Sequence, residues 1–143
     1  MTHIAIMKKK WGLTDKIIDG SKTVEMRWYK HRSTPWDKVS VGDEIFFKDS
    51  GGPVRAKANL TLVEQYEIKD TSMAKLLIDK YKVRDLGSDV VPKEISDYIN
   101  GKKYCIIVGF DNVISIKPFN INKTGFGAMC AWIVSDNIEN LML

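Results

Sequence analysis

Apolar residues alternate with polar ones, or gather in short apolar blocks, along much of the chain. The clearest alternation lies in 54–66, where Ala56, Ala58, Leu60 and Leu62 are separated by polar residues. Because successive side chains of a strand point to opposite faces, this period of two predicts a half-buried strand. The predicted strands cover residues 2–7, 23–28, 44–48, 54–66, 104–110, 113–117 and 131–134, with a turn or bulge at 111–112 between two of them.

Three further segments show helical spacing and helix-end signals. Thr14 is the predicted cap of a short helix that ends at Gly20, since glycine readily adopts the left-handed conformation at helix ends. A second helix is predicted over 72–82, and a third from Pro92 to 98 or 99. The order β-α-β-β-β-α-α-β-β-β predicts an α+β fold, a small and mostly antiparallel β-barrel with flanking helices. The 143 residues suit one domain over 1–143.

Composition narrows the function classes. Hydrophobic residues make up 44% of the chain and charged residues 28%, as in ordinary soluble domains. No apolar run approaches the roughly 20 residues that span a bilayer, so we expect a cytoplasmic protein without a membrane partner. Two histidines, two cysteines and no CxxC spacing argue against a metal site, and we expect no cofactor. The net charge of +4 is compatible with a polyanionic partner.

One short segment, Gly20 to Tyr29, combines cations, a carboxylate and aromatic rings. If residues 23–28 form a strand, Thr23, Glu25 and Arg27 share one face, while Val24, Met26 and Trp28 share the other. Lys22 lies at the junction with the helix, so the pattern leaves its direction open. The alternative interpretation is an edge strand with a surface ion pair, which would contribute only about 0–1 kcal/mol.

The residues Gly20, Lys22, Glu25 and Arg27 fit the pattern G-x-K-x-x-E-x-R, and a V-G-D turn follows at 41–43. This resembles the ASCH domain, a compact barrel of the PUA-like superfamily related to the YTH and EVE modules. The resemblance extends over roughly residues 3–135. It implies a cleft where the motif meets the mouth of the barrel, used for RNA or a nucleotide-like ligand, with a modified base as one possibility.

The motif and its surroundings supply the candidate binding residues. Lys22 and Arg27 can donate to phosphate or a base carbonyl, and Glu25 can hold Arg27 or accept from an exocyclic amine. The other candidates are rings for stacking, cations for phosphate and groups at a cleft mouth: Trp28, Tyr29, Trp36 and Trp132; Lys30 and Arg32; Lys48 and Ser50 with the 51–52 backbone. The basic turn at 8–10 is either solvated or a phosphate contact.

A hydrolase is the competing hypothesis. Some ASCH proteins are amidohydrolases that act on an acetylated cytidine nucleoside, but they carry a threonine nucleophile where this chain has Glu25. A carboxylate does not simply replace that hydroxyl, Thr23 is not placed by the pattern, and the third member could be Glu64 or Glu67. Metal-free RNA cleavage with Glu25 as base and Lys22 as charge stabiliser is a second form of this hypothesis. A partner-binding adaptor is the third class, and the oligomeric state stays open.

Overall fold

Six strands form one mixed sheet that curls into a half-barrel. The computed structural model describes residues 1–127 and 130–143. The sheet order is β2-β5-β4-β3-β1-β6; β1 and β3 run parallel, and all other neighbours are antiparallel. These features confirm the predicted mostly antiparallel α+β fold. The strands are β1 (Thr2–Met7), β2 (Val24–Tyr29), β3 (Glu44–Asp49), β4 (Val54–Glu67), β5 (Tyr104–Phe119) and β6 (Trp132–Ser135).

The predicted break between two C-terminal strands was wrong. Residues 104–119 form the single strand β5, which pairs along its length with β4. The register of that pairing shifts beside Asn112, whose φ of 52° lies in the left-handed region that asparagine tolerates. The predicted turn or bulge is therefore a bulge, which bends the strand without ending it.

In the described residues, three α-helices accompany the sheet: α1 (Leu13–Asp19), α2 (Thr71–Leu86) and α3 (Lys93–Ile99). Gly20 ends α1 with a φ of 88°, as predicted, but Gly12 and not Thr14 precedes it. The Thr14 hydroxyl is buried and donates to Asp49 Oδ1 at 2.7 Å. Pro92 caps α3 and does not lie inside its first turn. Within the described ranges, none of the helices has the length and hydropathy needed to cross a membrane.

Helix α2 extends four residues beyond the predicted end at 82, and this extension matters for the site. Asp70 caps its start by accepting from Met73 N at 2.8 Å. Gly87 ends it in the left-handed conformation. The extra turn carries Asp85 to the start of β2.

The two faces of β2 divide as the alternation predicts. Val24, Met26 and Trp28 pack in a buried cluster with Leu77 and Tyr81 of α2. Glu25 and Arg27 point to the opposite face, where the main core lies. Since β2 is one edge of the sheet and β6 the other, these two charged residues face the seam between the sheet's ends.

Candidate functional site

The ammonium group of Lys22 lies at the centre of a buried ion cluster. Its side chain is fully buried and donates to the backbone oxygens of Val24 and Asp85, both at 2.6 Å. It also contacts the Asp85 carboxylate and lies 2.9 Å from Glu25 Oε1. The backbone sets this direction, because Lys22 N donates to Lys16 O at 3.0 Å as the chain leaves α1. With three protons and these four acceptors, the ammonium has no donor left for a ligand.

The two carboxylates in this cluster have pKa values shifted in opposite directions. Burial alone would raise the pKa of Glu25, but the adjacent Lys22 and Arg27 outweigh it and hold the pKa below its usual range. For Asp85, burial dominates over the attraction of Lys22, and the pKa is raised. Burial would lower the pKa of Lys22, yet the two carboxylates raise it. Lys22 therefore stays charged, and Asp85 is the group closest to accepting a proton.

Arg27 connects the two ends of the curled sheet. Its Nε donates to Glu25 Oε2 at 2.7 Å, while Nη1 reaches Ala131 O and Nη2 reaches Ile6 O, both at 3.1 Å. The guanidinium carbon lies 5.3 Å from the ring centre of Trp132. Because Glu25 is only 4% exposed, the alternative of a surface ion pair was wrong. The pair joins β2 to the backbone near β1 and β6.

A cavity of about 120 Å³ opens beside this cluster. That is far more than the roughly 10–15 Å³ that one water needs. Glu25, Arg27 and Asp85 supply its polar wall, and the rest is largely apolar. The cavity lies between β2, the C-terminal half of α2, α3 and the segment after β1, with apolar walls that include Met26, Trp28, Ile78, Leu86, Ile95 and Ile99.

Two aromatic rings and a lysine stand at the edge of the cavity, and we call Lys8, Trp11 and Tyr98 the aromatic mouth. The rings of Trp11 and Tyr98 meet edge to face, with centres 6.4 Å apart. Lys8 Nζ lies 4.7 Å from the first ring centre and 5.0 Å from the second. Tyr98 is 41% exposed, and Lys102 Nζ lies 4.5 Å from its ring centre. Cations over aromatic faces are favourable contacts, so the mouth is both ordered and open.

The hydroxyl group of Tyr29 is a buried polar atom without a hydrogen-bond partner among the described residues. Burial raises the pKa of Tyr29, and the nearby Arg27 opposes that shift. Tyr29 projects from the same face of β2 as Glu25 and Arg27. Most buried polar groups are paired, so this hydroxyl is an exception, but Tyr29 is not among the residues that line the cavity.

The basic loop forms a separate cluster away from the cavity. Arg32 pairs with Glu67 at 3.1 Å and lies 5.7 Å from the ring centre of Trp36. Trp36 is half-buried and packs edge-on against Tyr104. Lys30 is exposed. Among these loop residues, none lines the cavity beside the motif, and their roles in binding stay predictions.

The remaining predicted residues lie elsewhere. Lys48 is buried on β3, in register with Ile6, and burial together with the neighbouring Lys123 lowers its pKa. Ser50 lines a different surface cleft with the 51–52 turn, so the predicted cleft mouth does not adjoin the motif. Trp132 is 2% exposed, and its Nε1 donates to His3 Nδ1 at 3.0 Å. Its ring supports Arg27 from inside the core.

Comparison with known proteins adds the fold family. No family model matches the sequence, and neither does any curated protein. Among solved structures, ASCH from Zymomonas mobilis superposes with a TM-score of 0.70 at 16% identity, covering 97% of this chain and 90% of that one. The chain has the ASCH fold. Two variants of that protein, one with tyrosine changed to phenylalanine and one with serine changed to alanine, match at the same TM-score and identity, with 93% and 91% of their chains covered.

The likeness confirms the ASCH resemblance at the level of the fold. On this ASCH fold, the motif residues Lys22, Glu25 and Arg27 come together, and Trp28 forms part of the cavity wall. Within residues 1–127 and 130–143, no group of three or more His, Cys, Asp or Glu side chains is arranged to hold a metal ion.

Three site residues were missed by the sequence reasoning: Asp85, Trp11 and Tyr98. An acidic residue in the last turn of a helix faces the negative end of the helix dipole, so it needs a cation nearby. Asp85 carried that signal, but the helix was predicted to end before it. Trp11 and Tyr98 stand in short segments with no pattern that brings them together.

Proposed function

We propose that the protein binds a nucleotide or a nucleobase of RNA in the cavity beside the ion cluster. The observation that carries this proposal is the cavity itself, which combines an apolar wall with the carboxylates of Glu25 and Asp85 and the guanidinium of Arg27. Nucleobases have apolar faces and polar edges, and proteins that bind unstacked bases meet both.

The polar wall suits the edge of a base. Glu25 and Asp85 offer carboxylate oxygens to an exocyclic amine. Arg27 has five N–H groups, and its contacts with described atoms leave one on Nη1. That donor can serve a base carbonyl or a ribose oxygen.

The aromatic mouth suits the remainder of a nucleotide. Base stacking on an aromatic side chain is worth about 1–3 kcal/mol. Lys8 stands beside both rings, and its charge can meet a phosphate. Lys22 has a different part in this proposal: it keeps Glu25 and Asp85 in place and does not touch the ligand.

A matched pair of substitutions tests the proposal. Ile95→Phe places a larger side chain at the wall of the cavity, whereas Val90→Phe makes a similar change at a residue that is 73% exposed. Binding of the four nucleoside monophosphates and of short single-stranded RNA is measured by calorimetry, with thermal unfolding as a check on the fold. We expect Ile95→Phe to abolish binding and Val90→Phe to leave it unchanged. Equal binding by both folded variants would refute a ligand in this cavity.

Hydrolysis through Lys22 and Glu25 has less support from the geometry. The lowered pKa of Glu25 makes it a weak general base, and the protons of Lys22 are directed at protein acceptors, which leaves none to stabilise developing charge. Incubation with acetylated cytidine or labelled RNA provides the test. A product formed by the native protein and lost in Glu25→Gln, with binding retained, would favour the enzyme.

A further inference from the structure

A second groove continues from the cavity between α2 and α3. It measures about 630 Å³ and lies at the start of α2, the end of α3 and the segment leading into β5. Ile78, Val91 and Ile99 line both the cavity and the groove. The two spaces therefore adjoin, and at the surface Lys102 of the groove lies over the ring of Tyr98, which lines the cavity.

The charges along the groove are mainly positive and open. Lys69, Lys75, Lys102 and Lys103 line it. Of these, only Lys69 lies within ion-pair distance of a carboxylate in the described part of the chain, Glu67 at 3.5 Å.

The groove also contains three aspartates, two of which are engaged. Asp70 accepts from the backbone of α2, and Asp79 lies 3.7 Å from Lys82. Asp97 is the third. Lysines exceed aspartates in the groove by one, and Lys75, Lys102 and Lys103 have no carboxylate within ion-pair distance among the described residues, so they can contact an anion.

We propose that this groove holds the ribose-phosphate backbone of single-stranded RNA adjoining the nucleotide in the cavity. This inference rests on the proposed function. Lys102 marks the junction, because its ammonium lies over the exposed ring of Tyr98 at the mouth. The lysines contact successive phosphates, and the apolar floor of Ile78, Val91 and Ile99 receives a ribose or an unstacked base.

An acidic peptide is a less suitable occupant. The neighbouring cavity has aromatic rings at its mouth, and the groove has apolar lining residues, both of which match bases and sugars better than glutamate or aspartate side chains. The regularly spaced phosphates of an RNA strand can also contact the lysines that lie on both walls of the groove. Competition with a poly-glutamate peptide is therefore included in the test as the opposing outcome.

The experiment compares charge-removing variants at the two ends of one strand. Lys103→Gln removes an exposed lysine just before β5, and Lys117→Gln removes an exposed one near its far end. Lys75→Gln does the same on the other wall of the groove. Each protein is titrated with nucleoside monophosphates and with a short single-stranded RNA of mixed sequence, over a range of salt concentrations.

We expect Lys75→Gln and Lys103→Gln to bind monophosphates like the native protein and the oligomer more weakly. Each lost contact reduces the steepness of the plot of log affinity against log salt by about 0.7. When the salt concentration rises fourfold, the affinity of the native protein should therefore fall by a factor about three times larger than that of the variant. Lys117→Gln should retain the native slope.

Three results would overturn the inference. These are native oligomer binding in both groove variants, an equal loss in Lys117→Gln, and displacement of the RNA by poly-glutamate at matched charge. If monophosphates fail to bind but the groove variants still weaken the oligomer, the cavity proposal fails and the groove stands. If neither ligand binds the native protein, both fail.

Discussion

The ion cluster and the aromatic mouth lie on two sides of the same cavity, yet they use charge in opposite ways. In the cluster, Lys22, Glu25 and Asp85 are buried and their polar atoms are taken up by one another and by backbone. At the mouth, Lys8 Nζ lies over the rings of Trp11 and Tyr98, and Tyr98 is 41% exposed. Lys22 is fully engaged within the protein, whereas Glu25, Arg27 and Asp85 both stabilise the fold and line the cavity, and the residues of the mouth are left available to a ligand.

This difference separates two kinds of effect that mutation of a binding site usually mixes. A buried charge that loses its partner destabilises the whole domain, whereas a surface ring that is removed costs little folding energy. Stability and binding should therefore respond to different residues around one cavity.

The largest effect is expected from Lys22→Met. The change leaves Glu25 and Asp85 as two buried carboxylates without their shared cation, which should lower the free energy of unfolding by about 3–5 kcal/mol. Urea denaturation measures the loss. The control Lys117→Met, at an exposed position, should stay within about 0.5 kcal/mol of the native protein. A loss below about 1 kcal/mol for Lys22→Met would contradict the view of the cluster as structural.

The second prediction concerns Glu25 and Asp85, whose contributions to stability should depend on pH in opposite ways. The folded pKa of Glu25 lies below its ordinary 4.5, so its contribution to stability is complete above that pH and is lost as pH falls through the folded pKa. The folded pKa of Asp85 lies above its ordinary 3.8, so its ionisation opposes folding as pH rises through that value.

At pH 7, Glu25→Gln should therefore cost more stability than Asp85→Asn, by about 1–2 kcal/mol. The cost of Glu25→Gln should shrink as the pH is lowered below 4.5. Urea midpoints measured from about pH 3 to pH 7 give both curves. A larger cost for Asp85→Asn at pH 7 would reverse the assignment.

A smaller and different effect is expected at the mouth. Tyr98→Leu removes a ring that is 41% exposed, so the free energy of unfolding should change by less than about 1 kcal/mol. Nucleotide affinity should fall by about 1–3 kcal/mol, the range of base–aromatic stacking. Phe126→Leu is the control, because Phe126 is exposed to a similar extent, 37%, and lies outside the cavity lining. Unchanged affinity in Tyr98→Leu would remove the mouth from the binding site.

The smallest effect is expected from Lys8→Gln. The variant loses the contact between the ammonium group and two aromatic rings, so the free energy of unfolding should fall by about 0.5–1 kcal/mol. It also loses a proposed phosphate contact, so nucleotide affinity should depend less on salt concentration. Lys9→Gln, next in the chain and also exposed, should bind as the native protein does. If the two variants share one salt dependence, Lys8 acts only as part of the net charge.

Local patterns predicted the parts of this site that depend on neighbours in sequence. Alternation along β2 placed Glu25 and Arg27 on one face, and Gly20 marked the end of α1. The direction of Lys22 lay outside that pattern, because the residue precedes the strand and a backbone bond to Lys16 turns it inward. No local pattern contains such a contact.

The site residues that the sequence did not predict depend on contacts between segments that are far apart in the chain. Asp85 reaches Lys22 only because α2 continues to Leu86, and Trp11 meets Tyr98 only because α3 packs against the segment after β1. The opposite error also occurred, because one residue predicted to bind the ligand proved to be part of the core. Trp132 was a predicted stacking platform, yet it is buried beneath Arg27 and bonded to His3.

The guanidinium of Arg27 also affects how the two edges of the half-barrel are held together. Exposed strand edges invite pairing with other chains, and complete barrels avoid this through continuous ladders. Here a single forked cation spans the gap, reaching carbonyls at Ile6 and Ala131 from the opposite rim. A ligand that accepts from the remaining Nη1 proton leaves these contacts in place, so Arg27 can bind a ligand and join the two ends of the sheet at the same time.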